Sequence, residues 1–282
     1  MAKGKTIKLF LMDNEPSGRV KCSLANWTGV AYKIPRTMLD QCKDMAVLKQ
    51  SGVYFLFGTE SNGNDVAYIG QAGVRKNGEG LLLRIQEPHS SIDYWTEAIK
   101  FTTSNNTFGP TEISYLENRF CNLARAAGRC KIVNSVEPNL GNPTEETESE
   151  LEEFIEYAKI CMGSMGQKIL EPVISPTTMN DEPIFTMSYS SSNATGKRTN
   201  EGFVVLKGSV ICLNTVDSCP EHAQTDRRKY ASNIDENGRL TADLLFSSPS
   251  GAAQFVAGAS VSGNKLWKDA SGKTLKEIDN AQ

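Results

Sequence analysis

The chain opens on a period-two pattern. Over residues 6–12, TIKLFLM, Ile7, Leu9 and Leu11 stand against Lys8 and Phe10, which predicts a half-buried strand. Asn14-Glu15-Pro16-Ser17-Gly18 is a turn, and Arg19–Leu24 returns as a second strand, with Trp27-Thr28-Gly29 closing the unit. Arg36–Lys49 follows Pro35 and reads as a helix with Met38, Leu39, Cys42, Met45 and Val47 inward. Gly52–Phe57 and Val66–Ile69 are β-branched and aromatic runs. The Asn62-Gly63 turn signal between them predicts an antiparallel hairpin. Gln71–Gly80 is a loop containing Arg75 and Lys76. Leu81–Glu87 is a short helix ended by Pro88, and Trp95–Thr102 is a further strand.

The strongest helical period lies in Thr111–Ala127. Ile113, Leu116, Phe120, Leu123, Ala124 and Ala127 make one stripe, and Gly128 stands where a left-handed cap belongs. Pro143-Thr144 opens a second helix with early glutamates and an apolar face of Leu151, Phe154, Ile155 and Ala158. Three prolines and a polar tract at 188–193 then predict a linker. Beyond it, Phe203–Leu206 and Val210–Leu213 read as strands and Asn237-Gly238 as a turn. Ser247–Ser250 starts a helix with Pro249 at its first position, and a small β unit holds Trp267-Lys268. The expected class is α/β in the α+β sense: a small central antiparallel sheet flanked by helices, plus a small C-terminal α+β domain. The expected segments are 1–50 (β-hairpin and helix extension), 51–165 (central domain), 166–201 (linker) and 202–282 (accessory domain).

Composition narrows the chemistry. With 282 residues, 39% of them apolar and 22% charged, the chain is long enough for two cores. No apolar run approaches the ~18 residues of a membrane span. The N-terminus has only a short apolar run before Asp13, too brief for a signal peptide. Seven scattered cysteines form no CxxC pair, which argues against a disulfide scaffold or zinc ribbon and fits a reducing, cytoplasmic setting. Two histidines make a histidine-built metal centre improbable, so an oxygen-held metal is the expected kind. The net charge of −3 is unevenly spread: residues 1–143 carry 17 basic and 13 acidic side chains, residues 144–196 carry 2 and 10. The first fifty residues are the most basic part, a weak pointer to a phosphate partner.

Several residues stand out against this background. Glu117 lies on or beside the apolar stripe of its helix, where a carboxylate requires a cation, a metal or hydrogen-bond donors. Arg84 sits in an almost wholly apolar run and, alone, reads as a snorkelling arginine. Tyr54 and Tyr68 alone read as core aromatics with a hydrogen-bonded hydroxyl, and His89 as a surface histidine. Arg227-Arg228-Lys229 reads equally as surface charge or phosphate contact.

The order of these residues carries more than any one of them. Gly52-Val53-Tyr54, a turn, Tyr68-Ile69-Gly70, Arg84 in a short helix and Glu117 in a long one resemble the GIY-YIG nuclease family over roughly residues 50–160. The flanking stretches resemble those of a bacterial subgroup whose C-terminal module has no characterised function. The resemblance implies a metal-dependent endonuclease that hydrolyses DNA, branched or structured forms included. Tyr68 would be the general base, with Tyr54 orienting water or phosphate. Arg84 would sit on the phosphate and Glu117 on Mg²⁺ (or Mn²⁺). His89 and Asn134 would complete the site, and Gly52 and Gly70 would support it, Gly70 by turning the backbone away after Tyr68. Gln71-Ala72 stands where many relatives place a lysine. A nucleic-acid-binding or interaction module on the same fold, without turnover, is the alternative.

Overall fold

A computed structural model describes residues 4–61, 63–73, 81–86, 89, 91–174 and 182–281. The expected positions Asn62, Arg75, Lys76 and Pro88 lie outside the described residues. The chain divides into two compact units, Met1–Glu171 and Pro172–Gln282, each mixed α+β.

The first unit is one seven-stranded sheet, larger than the small sheet expected. Its strands are β1 (Ile7–Leu11), β2 (Val20–Leu24), β3 (Gly29–Pro35), β4 (Gly52–Thr59), β5 (Asp65–Ala72), β6 (Glu97–Thr103) and β7 (Lys131–Ile132), in the order β1-β2-β3-β6-β4-β5-β7. All neighbours are antiparallel except β5 and β7. The N-terminal hairpin is therefore not a separate extension. Trp27-Thr28-Gly29 leads into β3 rather than closing a unit, and β3 joins β2 to β6. The turn between β1 and β2 is pinned by Asp13, which accepts from the Arg19 backbone at 2.8 Å and pairs with its guanidinium at 2.6 Å. That donor pair holds the Asp13 carboxyl well below its usual range, at about 2. As the edge strand, β1 departs from expectation: Leu9, Phe10 and Leu11 are 48%, 63% and 39% exposed.

Two long helices cover one face of this sheet. α2, after the short helix α1 (Leu81–Gln86), spans Pro110–Ala127; α3 spans Glu145–Ser164. Pro110 is a first helical residue whose missing N–H costs nothing there. The Gly109 N–H donates to Glu112 at 2.9 Å, and Gly128 ends the helix at φ 64°. Ile113, Leu116, Phe120 and Ala124 pack on Phe55, Phe101 and Phe154. Arg119 and the Tyr115 hydroxyl both bind Glu152, tying α2 to α3. The opposite face is covered by shorter pieces. The helix expected over 36–49 is two 3₁₀ segments, Arg36–Cys42 and Ala46–Lys49. The Met45 N–H bonds the Cys42 carbonyl and the Leu48 N–H bonds that of Met45, three-residue steps that bury Leu39, Cys42 and Leu48.

The second unit is a four-stranded antiparallel sheet, β11-β10-β9-β8, made of β8 (Ile184–Tyr189), β9 (Ser192–Thr199), β10 (Gly202–Val205) and β11 (Leu244–Phe246). The hairpin β8–β9 falls inside the expected linker. Its strand β9, SNATGKRT, looks like linker because its inward positions are small. A Cβ on Gly196 would lie 2.3 Å from the Phe203 ring, so the neighbouring strand supplies the volume. The helices are α4 (Glu221–Lys229), α5 (Pro249–Ala257), α6 (Gly263–Leu266) and α7 (Leu275–Asp279). Phe185, Phe203, Phe255 and Trp267 form the core, and the Trp267 indole donates to the Pro249 carbonyl at 3.0 Å. Val210–Leu213 and Trp267-Lys268 make isolated bridges rather than strands. In the basic cluster, Arg227 turns inward and donates to the Phe255 carbonyl at the C-terminal end of α5. It is a structural cap. All seven cysteines are free thiols. Among the described residues no helix is long and apolar enough to cross a membrane.

Candidate functional site

The expected site residues meet around one end of β4 and β5. These strands pair with Tyr54 opposite Gly70 and Leu56 opposite Tyr68. Even-numbered side chains share a face, which brings the Tyr54 and Tyr68 rings to 6.1 Å between centroids. Gly70 is needed for packing, not for a turn: a Cβ there would lie 2.6 Å from the hydroxyl end of Tyr54. It remains inside β5, which corrects the expectation that it turns the backbone away. Gly52 is equally confined, since a Cβ would come 2.3 Å from the Phe101 carbonyl.

The two tyrosines differ. Tyr54 is fully buried, and among the described residues its hydroxyl has no partner at hydrogen-bond distance. Burial pushes its phenol far above the ordinary range; Tyr68 and Glu117 add to this and Arg84 opposes it. Tyr54 is thus a neutral phenol packed beneath Tyr68, and its hydroxyl does not reach solvent. Tyr68 is partly exposed.

α1 and the segment after it bring the next pair. Arg84, half-buried, lies close enough to act electrostatically on Tyr54 and Glu117. His89 is buried with Nε2 3.0 Å from the Arg84 carbonyl. A carbonyl only accepts, so Nε2 carries the proton there. The imidazole centroid is 5.3 Å from Tyr68 and 5.9 Å from Tyr54.

Glu117 and Asn134 are placed by the open edge of β5. Its partner β7 pairs only with Val66 and Ala67. The odd residues of β5 direct their backbone groups to that side. The Ala67 carbonyl accepts from the Val133 N–H at 3.0 Å. Ile69 is served on both its N–H (3.0 Å) and its carbonyl (2.6 Å) by the Asn134 amide, which imitates a continuing strand. Next along, Gln71 lies close enough for its backbone and side-chain donors to act on the Glu117 carboxylate. Desolvation raises the Glu117 pKa, while the Gln71 donors and Arg84 pull it back. Glu117, from the α2 side, and Arg84 can act on one another because β7 pairs with β5 only at Val66 and Ala67 and leaves the edge beyond open.

Gln71 was read in sequence only as standing where many relatives place a lysine, and Lys100 was not singled out. The signal was available: Gln71 continues the Ala67, Ile69 alternation at a position facing α2, and Lys100 interrupts an apolar strand. Lys100 is fully buried opposite Tyr54 and donates to the carbonyls of Val47 (2.5 Å) and Gln50 (3.2 Å). Burial pulls its pKa down to about 7.

The donor set suits a hydrated hard cation. Glu117 offers one half-buried carboxylate, and Mg²⁺ is commonly held by one or two carboxylates while keeping several waters. The Asn134 amide engages Ile69 through both its oxygen and its nitrogen, so it is a positioning residue here. Among the described residues no group of three or more His, Cys, Asp or Glu side chains converges.

The model of a family described as a domain of unknown function (DUF4357) matches residues 185–279, which lie within the second unit. No curated protein and no solved structure matches the chain.

Proposed function

We propose that the first unit is a metal-dependent phosphodiester hydrolase acting on DNA, with Tyr68, Arg84 and Glu117 as its working residues. The observation that carries this reading is that a partly exposed tyrosine, an arginine and a half-buried carboxylate all lie around Tyr54, beside the open edge of β5. Mg²⁺ or Mn²⁺ bound at Glu117 supplies Lewis-acid charge for the phosphate and the leaving oxygen. Arg84 presents a planar fork to the phosphate oxygens. Tyr68, in its phenolate form, accepts the proton of the attacking water and becomes the neutral phenol. Tyr54, a buried neutral phenol, supports the Tyr68 ring, and Asn134 fixes the backbone at Ile69 next to Tyr68. His89 braces the carbonyl of Arg84.

The test uses the full chain with branched, single-stranded and duplex DNA, with and without Mg²⁺ or Mn²⁺. Metal-dependent cleavage should fall by about 10²–10⁴-fold in Tyr68→Phe, the range of a general base, and vanish in Glu117→Ala. Equal cleavage by wild type and Glu117→Ala would sink the assignment. A second reading, a nucleic-acid-binding module without turnover, is favoured by Gln71, whose donors act on Glu117 where a metal would bind. Binding of these DNAs without cleavage of any of them would select it.

A further inference from the structure

A second cluster, distant in sequence from the tyrosines, has the make-up of a cation receptor. Trp27 packs against two aromatic residues of α3: Phe154 at 4.9 Å and 45°, and Tyr157 at 5.8 Å and 57° between rings. Its ring lies flat on the backbone, because a Cβ on Gly29 would come 2.0 Å from it. Among the described residues the buried indole N–H has no acceptor, so the ring is held by packing on its aromatic neighbours and on Gly29. Beside the rings is a depression of about 250 Å³, lined also by Glu150 and Glu153. Each of these glutamates stands one helical turn before an aromatic residue, Glu150 before Phe154 and Glu153 before Tyr157, so carboxylates and ring faces share one side of α3. The Tyr157 hydroxyl donates to Glu153 at 3.1 Å. One cation is already in contact: the Lys5 ammonium lies 3.8 Å above the centre of the Tyr157 ring.

We propose that this depression binds an alkylammonium group, and that Lys5 covers its margin in the absence of ligand. Ring faces attract a cation through their quadrupole, and two carboxylates add net negative charge. Apolar walls favour a weakly hydrated, methylated ammonium over a strongly hydrated one. The charge of α3 itself has the same sign, with seven glutamates and one lysine in Glu145–Ser164. The ligand is either a free quaternary amine or a methylated lysine side chain on a partner protein. Neither source depends on the nuclease reading, and the test involves no DNA.

The experiment follows the three indole ¹H–¹⁵N signals of the full chain, with Trp27 assigned through Trp27→Phe. Trp95 and Trp267 are buried elsewhere and serve as internal controls. Tetramethylammonium should shift the Trp27 signal saturably, whereas neutral neopentyl alcohol, of similar shape, should not. Lys5→Ala should tighten binding about two- to fivefold, the value of one exposed cation–π contact. Glu150→Gln and Glu153→Gln, both surface changes compatible with folding, should weaken it. A trimethyllysine peptide binding more tightly than tetramethylammonium assigns a partner side chain; weaker binding assigns a free amine. No Trp27 shift in either wild type or Lys5→Ala overturns the proposal. So does an equal response to neopentyl alcohol, or equal shifts of all three indoles.

Discussion

The two faces of the seven-stranded sheet are built from alternate residues of the same strands, yet they differ in kind. On the α2/α3 face, Phe55, Phe101 and Phe120 interlock at centroid distances of 5.3–6.0 Å. On the other face the adjacent positions are Tyr54 and Lys100, with His89 and Tyr68 nearby. The covering elements explain the contrast. Long helices satisfy their own backbone and ask only for volume. Short 3₁₀ turns and a six-residue helix leave carbonyls to be served. Lys100 serves Val47 and Gln50, Thr102 serves Ser51 at 2.6 Å, and His89 serves Arg84. Polar chemistry accumulates on the face whose cover cannot satisfy itself, and that is also the face that presents Tyr68 and Arg84.

The contrast can be broken hardest on the apolar side. Phe120→Ala should cost about 3–5 kcal/mol by urea denaturation, since Phe120 is fully buried among rings. A loss below about 1 kcal/mol would mean this face is not the main core. Lys100 sharpens the other side through pH. Its folded pKa is lowered to about 7 from 10.5, so its neutral form is favoured in the folded state. The stability this contributes is complete above about pH 10.5 and is lost as pH falls towards 7. Between pH 7.5 and 8.5 the wild type should therefore gain up to about 1.4 kcal/mol relative to Lys100→Met. Parallel pH profiles for the two proteins would show that the ammonium is not desolvated. The smallest effect belongs to Tyr54. Its hydroxyl is buried without a partner, so Tyr54→Phe should leave stability within about 1 kcal/mol of wild type, in the stabilising direction. A clear loss on thermal melting would reveal a partner for that hydroxyl.

The candidate site was legible in sequence to the extent that it rests on strand parity. Tyr54 and Tyr68 share a face because the hairpin was readable from its turn and its β-branched runs. The distinction between them was not readable, because Gly70 lets Tyr54 sink while Tyr68 stays at the surface. The donors to Glu117 were not readable either. The carboxylate on an apolar stripe called for partners, and the groups that act on it, Gln71 and Arg84, come from a strand and a short helix 46 and 33 positions earlier.

Local periodicity determined the types of the main elements: the first hairpin, β4 and β5, and the helices α2, α3 and α5 with their proline starts. It determined little about neighbours. The insertion of β6 between β3 and β4 is a non-local pairing with no trace in local pattern. The exposure of Leu9, Phe10 and Leu11 follows from β1 being last in the sheet, since the same alternating sequence would be half-buried in the interior. β9 passed for a linker because its inward volume comes from Phe203 on another strand. The open edge beyond Ile69, where Asn134 and Glu117 take over from a missing strand, exists only once β7 stops at Ile132. A strand's own residues decide that it is a strand; what stands beside it, or fails to, is decided when the sheet assembles.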